Sequence, residues 1–403
     1  MELFWLEHKK LWRKKIVKIC VLLCFVYCVI FGSILSFQWF SFGSSDDYTS
    51  AFGNNFDGYT VIKDSQEYAL SFGGELTDET LQQIVSDYQQ MEADGMEKEL
   101  EKTDWQIVNS WLGTLYPELR DTSNYKTMIS YVDPDKLTGF YERRQQVLDE
   151  FLEVSGQVGA EKEYLHQIER KVEKPFHYEW VEGWSTLLGS MVADLGVVMA
   201  LFLGIVLSSL FAGEWHDNTS TLVLTTRNGW GKIALAKILT GLAFTVELFA
   251  LLAVSSVISQ LFFMGTAGWD MPIQNIKLIA VAPMNMLQAE IYEYAFVLLG
   301  AIGFAGIVMF ISAAVKNNVL TLLLSLAVVY GPMMIAEYLP YEMQKALDLI
   351  PLAGSSTDIF RTNTFRIFGK LIWSPYLLIT IPVLIGILCM PFAIKSWSRR
   401  MKA

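Results

Sequence analysis

FAGEWHDNTSTLVLTTRNGWGKIALAK, residues 211–237, is a short polar stretch held between two long apolar runs. The run before it, Ser185 to Leu210, and the run after it, Ile233 to Met264, can each cross a hydrocarbon core of about 30 Å, which takes roughly 20 apolar residues. The stretch therefore joins two membrane spans, and it carries Glu214, Trp215, Asp217, Thr219, Arg227, Lys232 and Lys237. Working outward, the apolar runs at 19–38, 186–212, 233–264, 291–315, 319–338 and 372–394 predict six spanning helices.

Composition places the chain in the same class. At 403 residues, 52% hydrophobic, it is too apolar for an ordinary soluble protein, and its 18% charged residues are too many for a chain that is membrane throughout. The charge is partitioned. Residues 39–183 hold 29 of the 42 acidic and 12 of the 31 basic residues, a net of −17, and the remainder is +6. An acidic, water-exposed domain inserted after the first span is the expected architecture, with a basic face on the other side of the membrane.

Lys9, Lys10, Arg13, Lys14, Lys15 and Lys18 precede the first run, as in a secretory signal. The apolar part, Ile19 to Phe37, is longer than the roughly 7–15 residues of such a signal, and no small-residue cleavage pattern follows, so it reads as a retained anchor. With the N-terminus in the cytoplasm, the basic residues Arg227, Lys232, Lys237, Lys316, Lys395, Arg399, Arg400 and Lys402 also fall inside. The positive-inside bias is met, and residues 39–183 lie outside the cell with both termini in the cytosol. The cytoplasmic membrane is the expected location.

The outer domain lacks a disulfide staple, because Cys20, Cys24, Cys28 and Cys389 all sit in expected spans. At about 145 residues it is large enough to fold on its own core. Residues 58–74 read as a strand pair closing on Gly73 and Gly74. Thr77 caps a helix with Asp78 and Glu79 in its first turn, and further helical periodicity runs over 104–116, 138–154 and 160–174, ending at Pro175. The domain is thus expected to be mostly helical with a small sheet. His166 and His177 lack ligand-like spacing, so no metal site is expected.

Enzyme signatures are missing from the sequence. There is no HExxH, GxSxG or paired CxxC, and Gly231-Lys232 and Gly369-Lys370 lack the upstream glycine and following hydroxyl of a phosphate-cradling loop. The chain reads as a non-enzyme that binds no cofactor of its own. Nothing in the pattern points to nucleic acid.

With Phe211, Glu214, Thr219, Leu222, Leu224 and Lys237, the 211–237 stretch resembles a motif of the ABC type-2 permease family. Asn218 stands where that family usually has glycine, and Arg227-Asn228-Gly229 replaces its proline-containing turn. The start, MELFWLEHKKLWRKK, is similar to the family's interfacial elbow helix: Phe4 with Leu11 and Trp5 with Trp12 repeat at seven. One helix, a large outer domain and five helices is also the order of a subgroup of that family. The resemblance implies an elbow over 1–18 with Glu7, Lys10, Leu11 and Trp12, and a five-helix part over 184–403. It also implies an ATPase-coupling loop over 213–232 with Glu214, Trp215, Thr219, Leu222, Leu224, Arg227 and Lys232, together with Lys237. The implied partners are a dimeric cytosolic ABC ATPase that uses the ATP, a second or related permease, and membrane lipid. Short re-entrant helices after the fifth span are implied as well.

Independently of the resemblance, a stiff connection between two spans, apolar at Leu222, Val223 and Leu224, suits docking to a motor better than simple anchoring does. Asp194, Glu247, Glu293 and Glu337 lie in or beside the spans. The deeper two, Asp194 and Glu247, are candidates either for a translocation pathway or for helix–helix bonds. Glu293 and Glu337 sit near outer ends, within reach of water. A rival class stays open: a membrane sensor or assembly protein that binds a ligand through the outer domain. Single-cysteine variants labelled with a membrane-impermeant thiol reagent are expected to report position 100 outside and position 218 inside. Labelling of both from one side would overturn the six-span topology.

Overall fold

The computed structural model describes residues 2–41, 66, 69, 73–95, 105–121, 123, 126–217, 219, 231–353, 360 and 362–399, without the side chains of 31–41, 105, 190–193 and 399. Helices α1 (Glu2–Arg13) and α2 (Lys15–Ser41) open the chain. An inserted domain follows, with α3 (Asp78–Ala93), α4 (Trp105–Leu115), α5 (Phe140–Val154) and α6 (Ala160–Glu169). The short α7 (Glu182–Thr186) and a π-helical turn lead into α8 (Val192–His216), α9 (Lys232–Met264), α10 (Met286–Val315) and α11 (Asn318–Ile335). The short α12 (Tyr341–Leu347) and the long α13 (Ser374–Arg399) complete the helices.

Five helices among the described residues are long and apolar enough to cross a bilayer: Asp194–His216, Lys232–Met264, Met286–Val315, Asn318–Tyr338 and Ser374–Ser398. These fall on five of the six expected runs. The remaining run, 19–38, falls on α2, whose side chains are described only as far as Ile30. Their burial ranks the helices. The apolar windows of α8 and α10 are 72% and 61% buried, against 17% for that of α11, so α8 and α10 form the middle of the packing and α11 its edge.

The α10–α13 contact depends on missing side chains. A Cβ on Gly303 would lie 2.2 Å from Pro382 O, and one on Gly306 would lie 2.5 Å from Gly386 O. The two helices therefore meet backbone to backbone, the close approach that the small residues of GAIGFAG (300–306) allow.

The inserted domain has its own core, built from Leu81 and Val85 of α3, Trp111 and Leu112 of α4, and Phe140 of α5, together with Phe176 and Tyr178. Thr77 caps α3 by accepting from the Thr80 amide, as expected. The expected strand pair over 58–74 is not what forms at its described positions. Gln66 and Ala69 are helical, and β1 (Gly74–Glu75) pairs antiparallel with β2 (His177–Tyr178), while most of 58–72 lies outside the described residues. The last helix of the domain stops at Glu169 rather than at Pro175, because the chain turns there to deliver Val172 and Phe176 into the core. After α11, where re-entrant helices were expected, the described residues form the short α12 and a hairpin, β3 (Thr364–Ile367) with β4 (Lys370–Trp373). Pro375 lies in the first turn of α13, and only Pro382 and Pro391 fall inside it.

The loop between α9 and α10 ties the inserted domain to the apolar helices. Trp111 Nε1 donates to Asn275 O at 2.9 Å, and Asn275 Nδ2 donates to His177 O at 2.9 Å. Arg144 of α5, fully buried, donates to Leu278 O at 2.7 Å and Ala280 O at 3.1 Å, and pairs with Glu169 at 2.6 Å. Lys174 completes the pairing at 2.8 Å from Glu169. Burial alone would raise the Glu169 pKa, but the hydrogen bonds from Lys174 and Arg144 outweigh it and hold the carboxyl below its ordinary value. A depressed carboxyl contributes stability above its unfolded pKa, about 4.3, and that contribution is lost as pH falls through the folded value. The tryptophan fluorescence of the inserted domain, Trp111 included, should therefore shift cooperatively below about pH 4. In Glu169→Gln the domain should start out less stable by about 3 kcal/mol, the scale of a broken buried pair, and lose this pH dependence.

Candidate functional site

Helix α1 lies along α9 and brings the two ends of the 211–237 stretch together. Its outward face carries Trp5 and Leu6, 61% and 64% exposed, as an amphipathic interfacial helix presents an apolar side to lipid. Its inward face carries Glu7, Lys10, Leu11 and Trp12. Leu11 is buried, and Trp12 stacks edge-on against Phe244 of α9.

Four charges from three helices close into one cluster. Lys237, 1% exposed, sits with Nζ 2.8 Å from Glu7 Oε2, 2.9 Å from Glu214 Oε1 and 3.1 Å from Leu210 O. Glu214, 4% exposed, also accepts from Lys10 Nζ at 2.6 Å and from the Thr219 hydroxyl. The Thr219 amide bonds Glu214 O at 3.0 Å, so the chain leaving α8 is folded back onto the same residue. None of the buried side-chain polar atoms of the cluster lacks a hydrogen-bond partner, which is what makes buried charge tolerable.

Electrostatics around the cluster is uneven. Burial draws the Lys10 pKa down, but Glu214, Glu7 and Asp217 outweigh it, and Lys10 ends above the ordinary lysine value. Lys14, one turn further, donates to Ser209 Oγ at 3.0 Å. Burial, with Lys237 and Lys10 beside it, holds Lys14 below the ordinary value. A cavity of about 20 Å³ opens between Lys14, Ser209, Gly213 and Asp217, room for a single water.

The structure thus joins Glu7, Lys10, Glu214, Thr219 and Lys237 in one cluster and places the other expected residues elsewhere. Trp215 faces Trp397 of α13 and lies under Lys316 Nζ, 4.2 Å from its ring centre. Lys232 is exposed at the start of α9. Leu222, Leu224 and Arg227 lie outside the described residues. Glu214, which the resemblance implies for the coupling loop, is buried within this chain, where it ties α8 to α1 and α9.

Both deep carboxylates have partners inside the chain. Glu247 accepts from Trp12 Nε1 at 3.0 Å and lies 3.2 Å from His8 Nε2, which binds α1 to α9 a second time. Asp194 lies beside Tyr27 of α2. Glu293, expected to reach water, is only 5% exposed. Glu290, just before the expected start of the fourth span at 291, is 3% exposed inside α10. The missed signal was Asn285 with Gln288, whose reciprocal side-chain bonds cap α10 and start it at Met286. Among the described residues no group of His, Cys, Asp and Glu is arranged to hold a metal. Compared with known families, with curated proteins and with solved structures, the chain matches none.

Glu214→Ala strips Lys237 and Lys10 of a shared carboxylate in a buried setting and should cost about 3 kcal/mol. The readout is the thermal midpoint of the purified protein in lipid nanodiscs. Glu247, whose side chain is 42% exposed, should show less than half that effect as Glu247→Gln.

Proposed function

We propose that this chain is the permease subunit of an ABC exporter, moving a substrate out across the cytoplasmic membrane under the drive of a separate cytosolic ATPase. The observation that carries the reading is the Glu7–Lys10–Glu214–Lys237 cluster, built on the buried Glu214 and Lys237. It clamps the elbow helix to the last turn of α8 and the second turn of α9, at the two ends of the 213–232 stretch. A force applied at the ends of that stretch would reach three helices at once through this cluster. A basic face on this side, with Lys9, Arg13 and Lys15 beside the cluster, suits the cytosolic leaflet.

In this reading Leu222, Leu224 and Arg227 are the contact with the ATPase. Glu214, Thr219 and Lys237 hold the contact's base, and Trp215 braces it on α13. A second permease, identical or related, supplies the other half of the pathway. The inserted domain then stands outside the cell, above a cleft of about 530 Å³ whose lining includes Trp111, Phe151, Glu182, Asn275, Lys277 and Phe360. The same cleft is what the sensor reading would use as its ligand pocket.

The experiment that separates the two readings co-expresses the chain with the Walker-motif ATPase encoded nearest its gene. The exporter reading expects a stable complex with an ATPase rate that depends on the permease. Arg227→Ala should lower that rate about tenfold, a loss of about 1.4 kcal/mol in coupling, without moving the thermal midpoint. Absence of both association and permease-dependent hydrolysis would favour the sensor.

A further inference from the structure

The first turns of α10 hold a carboxyl that none of the ties described above engages. Glu290 is 3% exposed, and neither of its oxygens accepts a hydrogen bond. Glu293 follows three residues later on the same side of the helix, 5% exposed. The polar group beside Glu290 is the Tyr294 hydroxyl, which shares a hydrogen bond of 2.9 Å with Ser256 Oγ of α9. Within electrostatic reach of Tyr294 lies Cys28 of α2, whose thiol meets Ser255 of α9. Next to Cys28, Tyr27 reaches Asp194 of α8. Tyr294 and Glu293 on its own helix, and beyond them Cys28, Tyr27 and Asp194, are the titratable groups on this side of the packing. Among the described residues no lysine, arginine or histidine of the helices packed against α10 lies close enough to pair with Glu290.

A carboxylate in such a place has no counter-charge and only the Tyr294 hydroxyl beside it, too little to offset a burial cost of several kcal/mol that a proton removes. Histidine and lysine partners rescue Glu247 and Glu214. Glu290 has neither.

We propose that Glu290 is an intramembrane proton-binding site: a carboxylic acid in the packed arrangement described here, which releases its proton when α9 and α10 part and water enters. The step is a simple ionisation. Glu290–COOH becomes Glu290–COO⁻, the proton passes to the entering water, and no bond to carbon changes. Tyr294 and Ser256 form the hydroxyl pair that relays this proton from the carboxyl to the entering water, and Glu293 is the second carboxyl that feels the new charge. The inference does not rest on the exporter reading, because a sensor with the same helices would carry the same site.

The test uses the full chain in lipid nanodiscs. Infrared spectra of wild type minus Glu290→Gln near neutral pH should show a protonated-carboxyl C=O stretch present only in the wild type. A difference made of carboxylate bands instead overturns the proposal. Dicyclohexylcarbodiimide, an apolar reagent that attacks protonated carboxyls, should modify Glu290, located by peptide mass spectrometry. Its yield should fall about tenfold per pH unit once pH passes the titration point of the group. Should Glu290→Gln fail to assemble, this labelling of the wild type decides. No adduct on Glu290 at any pH, or a yield unchanged between about pH 6 and about pH 9, overturns the proposal. Tyr294→Phe keeps the acid and removes the relay hydroxyl, so it should retain the adduct while slowing deuterium exchange of the carboxyl about tenfold. Unchanged exchange removes Tyr294 from the path.

Discussion

Much of this architecture depends on a single lysine being taken out of water. Lys237 of α9 is the buried cation around which Glu7 of α1 and both Glu214 and the Leu210 carbonyl of α8 converge. An ammonium this deep cannot be left with fewer partners, since breaking a buried pair costs far more than the pair itself contributes. The requirement fixes the position of α1 against α9 and bends the exit of α8 back through Thr219. Close van der Waals packing holds the helices together, and this cluster gives them their alignment. The association rule for apolar helices in lipid is permissive, so directional polar contacts decide register.

At the other end of the helices the same logic recurs with a different cation. Arg144 is fully buried and binds two backbone carbonyls of the α9–α10 loop as well as Glu169, so the loop is held by a side chain from the inserted domain. The β3–β4 hairpin adds a second attachment through Thr364 to Gln157 and Arg366 to Glu161. The inserted domain is therefore anchored to the connections on both sides of α10 and α11. Any shift of those helices is felt in the domain.

Where the sequence was legible, the signal was local or long. Five apolar runs reappear as helices long and apolar enough to span, with ends displaced by up to eight residues, and the Thr77 cap works as its residue type implies. What escaped was of two kinds. β1 finds its partner about a hundred residues away, at His177–Tyr178, a pairing that no local pattern encodes. The β3–β4 turn, Phe368-Gly369, has both residues at positive φ, which suits a two-residue hairpin, but phenylalanine is a poor advertisement for that conformation. In the candidate site, the charged residues were visible but their destinations were not. Glu214 reads in the sequence only as part of a polar loop, and nothing local marks it as the internal tie to Lys10 and Lys237. Glu290 was lost because the helix start was read from hydropathy rather than from its Asn285–Gln288 cap.

The crossing of α10 and α13 at Gly303, Gly306 and Gly386 has a kinematic consequence. Two helices whose main chains touch have no layer of side chains between them to re-pack, so the seam has no intermediate positions through which to slide. For any motion of the apolar part, α10 and α13 behave as one rigid strut. The freedom to move is left to the partners whose faces are separated by side chains, above all the sparsely covered α11.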